Sequence, residues 1–188
     1  MKKLILGGLL GGIAVFVWGM VSWMVLPWHH TTFEKFDNEA MVQAVLAVNA
    51  PKAGIYLLPG THKDKTIPLA AEKALMKKAH EQMEKGPFAF VAMRPGGTGP
   101  MNILMIRGLI IQIIGAFLLT LLLLIAGIEN YFQGVGFAVA LALAAGVVTF
   151  LPDWNWWGFS PAYALVGMAD LVIGWFLAGL VIAKIVSR

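Results

Sequence analysis

The sequence contains no cysteine, and only 13% of its 188 residues are charged. The missing cysteine excludes disulfides, thiolate metal sites and cysteine nucleophiles. Soluble domains usually carry roughly a quarter of charged residues, whereas here 59% of the residues are hydrophobic. This composition indicates a membrane protein.

Motifs for nucleic-acid binding and for catalysis are also missing. The formal net charge is +4, but the basic residues are dispersed, so nucleic acid is not an expected partner. No Gly-Lys-Ser/Thr follows the glycines at 96–99, and no Gly-x-Ser-x-Gly surrounds Ser22 or Ser160. No catalytic residue is therefore predicted, and a non-catalytic protein is favoured over an enzyme.

Four apolar windows are long enough to cross a bilayer, which needs about 20 residues. They cover residues 4–27, 103–127, 134–151 and 161–186. The first window is too long for a signal peptide, and bulky residues such as Trp23 occupy its cleavage region, so we expect an uncleaved helix. The predicted fold is a mainly α, four-transmembrane-helix bundle, with helix 1 in residues 1–27 and helices 2 to 4 in residues 103–188.

Residues 28–102 are predicted to form a small α/β cap between helices 1 and 2. Asp37 is the predicted N-cap of a helix that continues to Asn49. A second helix is expected from Pro68 to a C-terminal cap at Gly86. Residues 53–58 and 88–93 read as short strands. Such a segment has a thin core, so the cap is expected to rest on the membrane helices.

Basic residues at the ends of the windows predict the orientation. Lys2 and Lys3 precede the first window, and Lys184 and Arg188 close the last one. Cytoplasmic flanks are enriched in Lys and Arg, so both termini are predicted to be cytoplasmic and the cap periplasmic. The lysines of the cap do not contradict this, because the rule loses force in loops longer than about 60 residues. The expected location is the bacterial inner membrane, with the lipid bilayer as a partner.

Small residues recur at a spacing of four in three of the windows. Such stripes let helix backbones approach closely in lipid. Packing inside the protein is favoured over a dimer face, although an oligomer is an alternative. The second window, with Leu121 to Leu124, is predicted to face lipid. The stripes comprise Gly7, Gly8, Gly11 and Gly12, then Gly134, Ala138, Ala142 and Gly146, and finally Gly174, Ala178, Gly179 and Ala183.

Asp170 is the most informative single residue, because it lies about nine residues into the fourth window. An ionisable group at that depth is costly and suggests a function by default. Gln112 and Arg107 of the second window are its predicted partners. A structural clasp from Asp170 to one of them is favoured over a proton or ion site.

Four histidines, His29, His30, His62 and His80, raise the hypothesis of a copper or haem site. Adjacent histidines usually project in different directions, and neither His-x-x-x-His nor Met-x-x-Met is present. No metal and no other cofactor is therefore predicted.

Tryptophans are concentrated between the third and fourth windows, in LPDWNWWGFSPAYAL at residues 151–165. An interfacial aromatic belt explains one or two of them. Three within four positions exceed what anchoring needs, so we expect a shaped turn that docks under the cap and binds a partner. The predicted binding residues are Trp154, Asn155, Trp156 and Trp157 of this turn, with Trp28 and His29 after the first window.

The same segment carries a resemblance to a family. W-N-W-W-G-F at 154–159, I-G-W-F-L-A-G-L-V-I-A at 173–183 and G-I-Y-L-L-P-G at 54–60 resemble a group of small bacterial membrane proteins of unknown function. In that group a tryptophan loop precedes a last span containing Asp and Gly-Trp. Proline directly follows the Phe there, whereas Ser160 intervenes here. The resemblance implies the four-helix architecture and no activity.

Three functional hypotheses follow. The favoured one is an accessory or scaffold protein that binds a protein or lipid partner at the outer face. The second is a small oligomeric carrier or channel-like protein that uses Asp170 and Arg107. The third is an enzyme that acts on a lipid substrate beneath the cap.

Overall fold

The computed structural model describes residues 1–60 and 66–187. Four of its helices are long and apolar enough to cross a membrane, which indicates a multi-pass membrane protein. His62, Lys63, Lys65 and Arg188 lie outside the described residues. The elements in chain order are α1 (Lys2–Met24), a short 3-10 helix (His30–Thr32), α2 (Glu39–Asn49), β1 (Gly54–Leu58), α3 (Leu69–Lys85), β2 (Ala89–Met93), α4 (Met101–Ile125), α5 (Tyr131–Trp157) and α6 (Pro161–Val186).

The chain divides into two compact units. We call the first the helical unit; it contains Met1–Glu34, Gly99–Asn155 and Phe159–Arg188. The second, the small unit, contains Lys35–Thr98 together with Trp156–Gly158. The small unit therefore begins and ends inside the predicted segment 28–102 and also takes in a piece of the tryptophan-rich segment.

In the helical unit, the glycine face of α1 packs against α4 and α6. A Cβ placed on Gly12 would lie 2.5 Å from the Cα of Ile113 in α4, a separation that real Cβ atoms do not reach. On the other side, a Cβ on Gly11 would lie 2.6 Å from Ile182 of α6. The predicted close packing of the first window is confirmed. Glycine is required because α4 approaches the α1 backbone itself.

The prediction that the second window faces lipid is wrong for one side of α4. Ala116, Leu119, Thr120 and Leu123 are buried, whereas Leu122 and Leu124 are exposed. These buried positions recur at intervals of three and four, so they form one helical face. Because leucine and isoleucine occupy both faces of α4, the sequence pattern alone did not distinguish the buried side.

Helices α5 and α6 pack through small residues, as predicted. Cβ atoms on Gly134 and Gly179 would meet the Cβ atoms of Ala183 and Ala138 at 2.9 and 2.8 Å. These distances are too short for two methyl groups, so one residue of each pair must be glycine. The core of the helical unit accordingly contains Val15, Ala116, Leu119, Leu123, Ala138, Ala178, Ile182 and Val186.

Helix α5 is longer than the predicted window 134–151. It continues past Pro152 to Trp157, so the tryptophans form its last turns and the expected turn is reduced to residues 158–160. Pro152 removes one backbone hydrogen bond without ending the helix. The helix ends at Gly158, whose φ of 78° suits glycine, and Ser160 Oγ then accepts a hydrogen bond from Tyr163 N to cap α6.

The small unit pairs β1 with β2 in an antiparallel ladder that runs from Gly54 opposite Met93 to Leu58 opposite Ala89. Helix α3 ends at Gly86 as predicted, with φ of 76°. The predicted cap of α2 at Asp37 is wrong by one residue, because the side chain of Asn38 accepts the hydrogen bond from Met41 N. The Asn38 amide oxygen serves as well as a carboxylate in this role.

Candidate functional site: the Asp170 cluster

Asp170 lies in α6 and is held by the indole of Trp18 in α1. The Trp18 Nε1–H donates to Asp170 Oδ1 at 2.7 Å and also lies 3.1 Å from the Asp170 backbone oxygen. Gly174, one turn further along α6, makes room for this indole, because a Cβ there would lie 3.0 Å from Trp18 Cδ1. The Asp170 side chain is 19% exposed. The carboxylate is thus fixed on one side and accessible on another.

His29 is the second partner of Asp170. Its Nε2 lies 3.4 Å from Asp170 Oδ2 and 3.0 Å from Ser22 Oγ. Trp28 Nε1 donates to the same Ser22 hydroxyl at 2.9 Å. Because a carboxylate only accepts hydrogen bonds, a proton on Nε2 makes the contact with Asp170 attractive. We call Trp18, Ser22, Trp28, His29 and Asp170 the Asp170 cluster.

Aromatic packing covers Ser22 and His29 of this cluster. The indole of Trp23 stacks on the His29 imidazole, with ring centroids 3.8 Å apart and planes 8° apart. Trp28 contacts Trp18 edge to face at 6.1 Å. Ser22 is fully buried and His29 is 4% exposed. Every fully buried side-chain nitrogen or oxygen in the described part of the chain has a hydrogen-bond partner.

The local sequence explains how these side chains meet. Trp18 and Ser22 are four residues apart and therefore lie on the same face of α1. After α1 the chain turns back at Pro27, and the hydroxyls of Thr31 and Thr32 donate to the carbonyls of Trp28 and His29, both at 2.8 Å. This tight turn returns His29 to the end of α1.

A groove of about 290 Å³ opens beside Asp170 within the helical unit. Its walls are mostly apolar and aromatic, and Asp170 and Gln112 supply the polar side chains. The lining residues are Val15, Phe16, Trp18, Gly19, Met20, Trp23 and Met24 of α1, Met105, Gly108 and Gln112 of α4, and Asp170, Leu171 and Trp175 of α6. We call it the Asp170 groove. An apolar cleft with a few placed polar groups is the usual form of a small-molecule site.

The predicted clasp between Asp170 and the second window is not what the structure shows. Asp170 contacts Trp18 and His29, whereas Arg107 is exposed on α4. Gln112 is half-buried and lines the same groove as Asp170. The reason is geometric: Trp18 and His29 approach Asp170 from the α1 side through close helix packing and a chain reversal.

The structure separates the predicted binding residues into two groups. Trp28 and His29 join the Asp170 cluster. Trp154 and Asn155 are exposed at the end of α5 within the helical unit, whereas Trp156 and Trp157 belong to the small unit, where Trp157 packs against Phe90 at 5.1 Å. Two of the tryptophans of this segment thus belong to the small unit and one to the helical unit.

The grouping of Ser22, His29 and Asp170 does not have the geometry of a catalytic triad. In a triad the serine and the carboxylate contact different nitrogens of the imidazole. Here Ser22 Oγ and Asp170 Oδ2 both approach Nε2, and Ser22 is fully buried. The arrangement holds a carboxylate in place instead of activating the hydroxyl.

Comparisons of this chain with protein-family models, curated proteins and solved structures find no match. The function must be inferred from the geometry.

Sequence reasoning missed Trp18 and Ser22 as members of the site. One signal in the sequence is compatible with Trp18 alone: a glycine one turn after Asp170 leaves space for a large neighbour, and Trp18 lies at a comparable depth in the first window.

Proposed function

We propose that the protein is a non-catalytic accessory protein of the bacterial inner membrane that binds a lipid-like amphiphile in the Asp170 groove. The single observation that carries the proposal is the partly exposed Asp170 side chain in a mostly apolar groove of about 290 Å³. Small-molecule sites usually begin near 300 Å³. The groove therefore suits one apolar chain or ring with a small polar group.

The chemistry of the cluster favours a particular kind of ligand. Trp18 holds Asp170 from inside the protein, so the carboxylate does not need to reorganise when a ligand arrives. A carboxylate accepts hydrogen bonds, and the indole faces of Trp18 and Trp23 attract cations. The expected polar group is accordingly a hydroxyl or ammonium.

In this proposal the end of the helical unit that carries the Asp170 cluster faces the periplasm. Support comes from the opposite end, where Lys3 Nζ donates to the carbonyl of Val186 at 2.9 Å. Both terminal helices thus place lysines, Lys2, Lys3 and Lys184, at one end, as expected for the cytoplasmic side.

The carrier hypothesis gains no support from this geometry. It relied on Asp170 together with Arg107, and Asp170 instead contacts Trp18 and His29. The enzyme hypothesis lacks an activated nucleophile in the cluster, because Ser22 and Asp170 approach the same imidazole nitrogen. A bound amphiphile is the function that uses the observed groove directly.

The test fills the groove without disturbing the packing. A Cβ on Gly19 meets no atom within 4 Å although Gly19 lines the groove, so Gly19→Leu adds bulk inside it. Gly136 of α5 also has open space and lies outside the groove lining, so Gly136→Leu is the matched control. Each protein is purified in mild detergent, and its bound lipids and proteins are measured by native mass spectrometry.

We expect a discrete amphiphile on wild type and Gly136→Leu that is lost from Gly19→Leu. Asp170→Asn should keep the groove but weaken retention of ligands with ammonium or hydroxyl groups. Equal lipid on all variants would mean unspecific annular lipid and would overturn the proposal. A protein partner retained by Gly19→Leu would favour a scaffold instead.

A further inference from the structure

Three potential metal ligands share one face of α3 in the small unit. Met76, His80 and Met83 are separated by four and three residues, which places them within about 60° of the helix circumference. They line one cavity of about 450 Å³. The remaining lining residues are Leu57, Phe88, Trp156 and Trp157. This cavity lies within the small unit and shares no lining residue with the Asp170 groove.

The hydrogen bond of His80 leaves its Nε2 atom as the nitrogen that can bind a metal. Its Nδ1 lies 2.7 Å from the backbone oxygen of Met76. A carbonyl oxygen only accepts, so Nδ1 carries the proton of the neutral ring and Nε2 carries the lone pair. Metal-binding histidines are commonly oriented in this way by a backbone carbonyl.

The ligand types select the metal. Two thioethers and one imidazole form a soft donor set, which favours Cu(I) over hard cations that prefer oxygen. Methionine has three rotatable bonds, so the sulfurs of Met76 and Met83 can adjust around an ion near His80. The indoles of Trp156 and Trp157 in the same cavity can stabilise a monovalent cation through their faces.

No charged side chain of α3 lines this cavity. Lys77 forms an ion pair with Glu81 at 3.9 Å, and both side chains are largely exposed. Neither residue lines the cavity. The cavity itself is lined by thioethers, an imidazole and hydrophobic side chains.

We propose that Met76 Sδ, Met83 Sδ and His80 Nε2 bind one Cu(I) ion, or its redox-inert equivalent Ag(I), in the cavity that they share with Trp156 and Trp157. This site is independent of the amphiphile groove. The three ligands form the sequence pattern Met-x-x-x-His-x-x-Met. The pattern points to a metal site because its three residues line one cavity together with Trp156 and Trp157.

The competing interpretation is that the two methionines only fill apolar space. Leucine would do so equally well, because Met and Leu have similar volumes and usually replace one another in packed positions at small cost. Met76→Leu/Met83→Leu therefore removes both sulfurs while keeping the packing. The matched control is Met41→Leu/Met101→Leu, which changes two exposed methionines elsewhere.

The full-length protein is titrated with Cu(I) under anaerobic conditions against a chromogenic Cu(I) chelator. We expect one tightly bound ion per chain in wild type and in the control, and at least a tenfold loss of affinity in Met76→Leu/Met83→Leu. His80→Gln should also weaken binding. Circular dichroism establishes that each variant retains its helix content.

A second measurement tests the role of the indoles. Ag(I) should quench the tryptophan fluorescence of wild type, and Trp156→Phe/Trp157→Phe should remove that response while retaining the helical content. Equal Cu(I) affinity in the Met76→Leu/Met83→Leu variant and the control would overturn the proposal. An equal loss in the control variant would show unspecific methionine binding and would also overturn it.

Discussion

The indole Nε1 of Trp18 lies 2.7 Å from Asp170 Oδ1 and 3.1 Å from the backbone oxygen of the same residue. One N–H group therefore contacts both the side chain and the main chain of Asp170. Since Trp18 is on α1 and Asp170 on α6, the contact sets the separation of two helices and the direction of the carboxylate at once.

The first prediction concerns the loss of this donor. Trp18→Phe should lower the free energy of unfolding by about 1.5–3 kcal/mol, the usual contribution of a hydrogen bond to a charged group. Thermal or denaturant unfolding in mild detergent measures the effect. Trp156→Phe is the control, because Trp156 is 69% exposed. A shift no larger than that of the control would contradict the stabilising role.

The second prediction concerns the pair of His29 and Asp170. His29→Gln and Asp170→Asn should each cost about 1–3 kcal/mol, because the first leaves the partly buried Asp170 and the second the buried His29 with a poorer polar partner. The double variant should cost less than the sum of the two, with a coupling energy of about 0.5–3 kcal/mol. Unfolding of the four proteins of this double-mutant cycle provides the values. Strict additivity would show that the 3.4 Å contact contributes nothing.

The third prediction concerns the close approach of α1 and α4. Gly12→Ala should destabilise the helical unit by about 1–3 kcal/mol, because the new methyl group would meet the Ile113 backbone. Gly136→Ala should be neutral or stabilising by up to about 1 kcal/mol, because that position has open space and alanine favours helix. The two proteins are compared by melting temperature in one detergent. A smaller loss for Gly12→Ala than for Gly136→Ala would refute the packing described for α1.

The fourth prediction concerns orientation in the membrane. Because the chain contains no cysteine, a single introduced cysteine reports one position without background. Lys52→Cys should react with an impermeant maleimide in intact cells if the small unit is periplasmic. Lys2→Cys and Lys184→Cys should react only after permeabilisation. Labelling of Lys2→Cys in intact cells would reverse the proposed orientation.

Much of the helical architecture could be predicted because long apolar runs must form helices in lipid. The end of α5 was harder to predict, because the apolar window stops at residue 151 whereas the helix continues through Pro152 to Trp157. The actual end depends on Gly158, the residue with positive φ. Gly158, six residues after Pro152, thus marks the end of the helix better than the proline does.

Asp170 could be selected from the sequence because an ionisable residue at membrane depth is unusual. Its partners could not, because they depend on the return of the chain at Pro27 and on the space that Gly174 leaves for Trp18. The α3 face with Met76, His80 and Met83 does not match the patterns His-x-x-x-His or Met-x-x-Met, so the sequence did not single it out. These three residues became a candidate metal site only because the structure shows that they line one cavity.

The packing of α1 has a consequence for biosynthesis. Helix α1 contacts chiefly α4 and α6, and α4 begins only about 75 residues after α1 ends. Gly8 and Gly12, which the α4 backbone covers in the final structure, have no partner when α1 first leaves the ribosome. During synthesis the glycine face of α1 therefore stays without its final contacts until α4 has been made.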